Sequence, residues 1–160
     1  MEEPSGNQQQ FASAFEGAFA GLQVELEKAW MAQLAWPLRV AAAARAGLRF
    51  AAAEPSAAQT LTNDALAAGP EGIVRHERLI AYLRGGLALG RQERPENDRL
   101  PEITEHAMAS GIVMLVAQRV DLGRAAELPA LVPEVIQFVL TPYLGAEEAR
   151  RIAAEHIKGS

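Results

Sequence analysis

The most constraining stretch of this chain is a helix-length run with almost no polar side. After Pro133, the residues Val135, Ile136, Phe138, Val139 and Leu140 cover nearly every direction around a helix axis, and Gln137 is the only polar interruption. A helix that is apolar all round has no face for water and must be enclosed. Pro129 and Pro133 mark its approach, Thr141-Pro142 stops or kinks it, and Tyr143-Leu144-Gly145 closes it.

The rest of the chain reads as helix of a more ordinary kind. Phe11, Phe15, Phe19, Leu22, Leu26 and Trp30 recur at spacings of four and three, predicting a helix of roughly five to six turns that starts near Gln8, behind a polar, disordered tail over residues 1–7. A second helix is expected from Trp36-Pro37 to Ala53, ended by Glu54-Pro55 because a residue before proline avoids the α conformation. Pro55 opens a short third helix that stops at Gly69, and Pro70 opens a fourth carrying Ile73, Ile80, Leu83 and Leu87. The charged stretch Arg91 to Arg99 reads as a solvated loop. Leu100-Pro101-Glu102 restarts a helix through Leu122, and Ala146 to Ile157 is a last amphipathic helix with Glu147 and Glu148 in its favourable first turn. About seven helices result, with no run alternating over strand length and no internal repeat.

Small residues at Ala107, Ala109, Ser110 and Gly111 notch the middle of the helix before the apolar one. A notch admits a second helix at close range, and the apolar helix needs cover. The economical arrangement packs both against their copies in a second subunit as a four-helix bundle.

Composition narrows the function. With 160 residues, 49% of them hydrophobic, the chain can bury a core without staples, and with no cysteine it has no disulfide, thiol nucleophile or thiolate metal site. The net charge is −5 and the basic residues are scattered among acids, so the basic stripe of a DNA-reading surface is missing. No run reaches the ~18 apolar residues of a membrane span, and Met1-Glu2-Glu3-Pro4 lacks the pattern of a secretory signal, so a cytoplasmic location and no membrane partner are expected.

Catalytic constellations are thin. His76, His106 and His156 fall on three different helices. Glu102 and His106 are four apart, which reads as an exposed charge pair rather than a metal site. No metal or cofactor is expected. Gly85-Gly86 with Gly90 follows no strand and matches no phosphate-loop spacing, which favours a helix crossing or kink. The serines have no nucleophile-elbow context, so no enzyme is expected. His76 shares its helix face with Ile73, Ile80 and Leu83, as a core histidine or a polar contact in a pocket.

Three fragments carry a resemblance. Glu127 to Gly145, a Leu-Pro-initiated apolar helix ending in Pro-Tyr-Leu-Gly, resembles the C-terminal helix of TetR/AcrR-type transcriptional regulators. Ser110-Gly111 with Ile112 and Val113 resembles that family's small-residue pair in the preceding helix. Arg39 to Pro55 resembles its second regulatory-domain helix and exit. The resemblance implies an all-α regulatory domain over residues 8–158, a pocket for a hydrophobic or amphipathic small molecule, homodimerisation through the last two long helices, and no catalysis. On that reading Phe19, Phe50, Tyr82, Leu83, Met108, Ile112 and Leu115 line the pocket with His76 as the polar contact. Ser110, Gly111, Met114, Val132, Val135, Ile136, Val139 and Tyr143 form the dimer interface. No helix-turn-helix precedes Gln8, so DNA would be reached only through a head absent from this chain. A head-less relative that pairs with a full-length regulator is the alternative.

Overall fold

A computed structural model describes residues 3–158. They form seven helices and no strand. Helix α1 spans Gly6–Met31, α2 Trp36–Ala53, α4 Pro70–Ala88, α5 Thr104–Asp121, α6 Val132–Leu144 and α7 Ala146–Lys158. Helix α3 begins as Pro55–Gln59, passes through a π-helical turn at Thr60–Asp64 and ends as Ala65–Ala67.

Local chemistry explains most boundaries. The Ser5 hydroxyl accepts from the Gln8 backbone N–H while the Gln8 side chain accepts from the Ser5 N–H, a reciprocal cap that starts α1 at Gly6, two residues before the expected start. Of the expected tail, Met1 and Glu2 lie outside the described residues. Prolines open α2, α3, α4 and α6 within the first two helical positions, where a missing N–H costs nothing. Pro142 neither stops nor breaks α6, which continues to Leu144 and ends at Gly145 with φ +85°.

The first five helices are tied through aromatic and small-residue contacts. Phe11, Phe15 and Phe19 form a ladder along α1, with successive ring centroids 6.0 and 5.9 Å apart, and Phe19 meets Tyr82 of α4 edge-on at 5.6 Å. Arg78 of α4 lies over the Phe15 and Phe19 rings and forks onto Glu16 at 2.9 and 2.7 Å, clamping α4 to α1. The π turn of α3 is held to α5 by Asn63, whose amide donates to the Ala117 carbonyl at 3.0 Å.

Residues 91–99 are not a plain solvated loop. They contain 3₁₀ turns at Leu89–Gln92 and Pro95–Arg99, and Asn97 is buried, donating to the carbonyls of Gly90 and Tyr143 at 2.9 and 3.2 Å. Arg91 forks onto buried Glu105 at 2.8 and 3.0 Å and also donates to the Leu100 and Pro101 carbonyls. Tyr143 donates its hydroxyl to the same carboxylate at 2.8 Å. Arg91 turns inward to satisfy Glu105, while Glu93, Glu96, Asp98 and Arg99 remain exposed.

The apolar helix α6 is kept dry by its own chain. Val132, Val135, Ile136, Val139, Leu140, Tyr143 and Leu144 are all buried, under α2, α5, α7 and the 3₁₀ segment Ala125–Leu131. The expectation that Val132, Val135, Ile136, Val139 and Tyr143 face a second subunit is therefore corrected. Tyr143, the largest fully buried side chain among the described residues, packs edge-on against Trp36 with centroids 5.0 Å apart. Only Phe138 among the large apolar side chains of α6 is exposed, at 49%.

Candidate ligand-binding cavity

A cavity of about 520 Å³ lies among α1 to α6. Its walls differ in residue size. Helix α2 contributes small side chains at helical spacing, Ala43, Ala44, Gly47 and Ala51, together with Val40, Leu48 and Phe50, joined by Ala58 of α3. Opposite stand large ones, Leu22, Leu26 and Trp30 from α1 with Leu79, Tyr82 and Leu83 from α4. Helices α1 and α4 are joined by the Arg78–Glu16 bonds at one end and by Trp30 seated on Gly86 at the other, where a Cβ would sit 3.4 Å from the indole, and α1 packs on α2 where Leu26 meets Gly47. Ile112, Val113 and Val116 of α5 and Val135 and Val139 of α6 close the floor, and the π turn presents Leu61 and Thr62.

The polar groups of the lining are few. Thr62 spends its hydroxyl proton on the Ala58 carbonyl at 2.7 Å. Tyr82 donates to the Glu27 carboxylate at 3.5 Å, and burial, reinforced by that carboxylate, raises the phenol above its ordinary pKa. Glu27 is the one charged residue in the lining among the described residues. It is exposed, as are Gly85 and Leu89, and these three mark where the cavity reaches solvent. The Trp30 ring carries the Arg39 guanidinium 5.7 Å from its centroid, and the Trp36 indole N–H is spent on the Gly86 carbonyl at 2.8 Å.

Of the residues expected at a pocket, Phe50, Tyr82, Leu83 and Ile112 line this cavity together. Phe19 stands behind Tyr82 and Met108 is buried, both outside the lining. Leu115 lines a separate cleft of about 270 Å³ between α5 and α6, with Gly111 and Phe138. His76 is half-buried on α4 and also outside the lining. Burial lowers its pKa, against an opposing pull from Glu77. Of the expected interface, Gly111 and Met114 are exposed and Ser110 half-buried, while Val135 and Val139 line the cavity instead.

Sequence reading passed over the α1 wall, Glu27 and the small-residue stripe of α2. The signal was present: alanines and a glycine recurring at positions 43, 47 and 51 leave room that a helical face of leucines would fill. Among the described residues no three His, Asp or Glu side chains group as a metal site, and no helix is long and apolar enough to cross a membrane. The fold and the cavity together define a class, an all-α chain enclosing an apolar pocket with a single acidic residue at its rim. Comparison with family models, curated proteins and solved structures finds no match.

Proposed function

We propose that this chain is the small-molecule-sensing and homodimerisation domain of a TetR-type transcriptional regulator, binding an apolar or amphipathic ligand and not itself DNA. The observation that carries the sensing role is the cavity of about 520 Å³ between the helices, within the range that holds a drug-sized ligand and lined almost wholly by apolar side chains. The three sequence fragments described above support the regulator class. The pairing surface in this reading is the outer face of α5 and α6, where Gly111, Met114 and Phe138 lie open and Gly111 lets the Phe138 ring settle against the helix, 3.6 Å from where a Cβ would stand.

The neutral dye N-phenylnaphthylamine tests the pocket. Its fluorescence should rise on binding, and at about a hundred times its Kd it should stabilise the fold by ~2.7 kcal/mol, raising Tm by roughly 5 to 10 °C. Ala44→Phe, which places a ring inside the cavity, should weaken the dye at least about tenfold. An unchanged affinity in that variant would place the dye elsewhere and remove the sensing assignment. Sedimentation equilibrium tests the pairing: a dimer is expected at micromolar concentration and a monomer for Met114→Glu, whose charge would be stranded in an apolar interface. A monomeric wild-type chain would end the homodimer reading.

A further inference from the structure

We propose that the cavity selects ligands with an apolar body and a cationic head, held at the rim by the Glu27 carboxylate. The inference rests on the reading of this cavity as a ligand site and adds the charge class of its occupant. Almost every lining side chain is apolar, so the body of a ligand gains from burial without regard to its polarity pattern. Discrimination then falls to the few polar groups that a bound molecule reaches, as in most small-molecule sites. Thr62 has already given its proton to Ala58. That leaves Glu27 and Tyr82 at the side where the cavity meets solvent.

Their arrangement favours one sign of charge. The Tyr82 hydroxyl donates to Glu27 and so offers no free proton to an anionic head while that bond stands. Glu27 makes no ion pair with any Lys or Arg among the described residues, so its oxygens remain able to accept from an ammonium group. Arg39, which lies over the lining residue Trp30, is engaged with that ring and with the Gln33 carbonyl at 2.8 Å. A carboxylate head placed in the same position would face Glu27 directly, and an alcohol would gain only an ordinary hydrogen bond.

Three probes of one chain length separate these cases: decylammonium, decanol and decanoate, each used below its micelle concentration to displace N-phenylnaphthylamine. The ammonium should displace the dye at a concentration about fivefold lower than the alcohol, and decanoate should be the weakest. Glu27→Gln should bring the ammonium to within about twofold of the alcohol. Glu25→Gln, an exposed neighbour on α1 outside the lining, should retain the full preference and so excludes a general attraction to the chain's net charge of −5. Equal displacement by all three probes, or a preference that survives Glu27→Gln or is lost in Glu25→Gln, overturns the cationic-head inference while the pocket stands. Failure of the dye itself to bind overturns both.

Discussion

Glu105 is a buried carboxylate on which the side chains of Arg91 and Tyr143 converge. Burial pushes its carboxyl upward, but the bonds from Arg91 and Tyr143 outweigh that and hold it below 4.5. A depressed folded pKa contributes stability that is complete above 4.5 and is lost as pH falls through the lower folded value. Urea titrations should therefore show the wild type weakening between about pH 6 and about pH 3 more steeply than Glu105→Gln. Parallel pH profiles would mean that Glu105 is no more strongly held in the folded chain than in the unfolded one. At neutral pH, Tyr143→Phe should cost about 1.5 to 3 kcal/mol, the range for a hydrogen bond to a charged group. Glu105→Ala should cost more, because it leaves the Arg91 guanidinium without its counter-charge. Nothing in the spacing of Arg91, Asn97, Glu105 and Tyr143 announced this cluster. Partners at separations of 14 and 38 residues meet only after the helices are placed.

At the scale of the element, glycines in one helix carry opposite consequences. Gly72 sits near the start of α4 where a Cβ would stand 2.1 Å from the Ala65 carbonyl oxygen and 2.7 Å from the Ala68 Cβ. Gly85, on the same helix, faces open space. Gly72→Ala should destabilise by roughly 1 to 3 kcal/mol, since the end of α3 must move. Gly85→Ala should stabilise by about 0.5 to 1 kcal/mol through helix propensity. Chemical denaturation of the two variants checks the contrast, and equal effects would contradict the close approach of α3 and α4. Element boundaries were largely legible because prolines at positions 37, 55, 70 and 133 and caps such as Ser5 act through neighbours in sequence. The π turn at Thr60–Asp64 was not legible. No proline or glycine marks it, and its Asn63 amide is bonded to Ala117, far along the chain.

Over the whole molecule, the decisive question raised by the sequence was what covers the apolar helix. The chain answers it internally: α2, α5 and α7 enclose α6, and two of its valines turn into the cavity. What remains open is the narrower face around Gly111, Met114 and Phe138, with Ile103 and Leu122 exposed at the ends of the neighbouring helix and turn. The dimer proposed above is thus an association of folded chains rather than a completion of the core. Dilution of the wild type should dissociate it with little loss of helicity, so circular dichroism should change far less than sedimentation across the same concentration range. Coincident loss of helix and dimer would mean that the core is shared between subunits.

By itself the sequence determined that this protein is all helix, where most of its helices begin and end, and that one of them must be enclosed. These follow from propensity, capping and apolar periodicity, which act over a few residues. Only the tertiary structure decided that the enclosure comes from the same chain, that Arg91, Glu105 and Tyr143 form one buried network, and that the helices leave an apolar cavity between them. Those outcomes depend on which faces meet. Helix faces separated by tens of residues find one another through total volume and burial, and no local pattern encodes the void they leave.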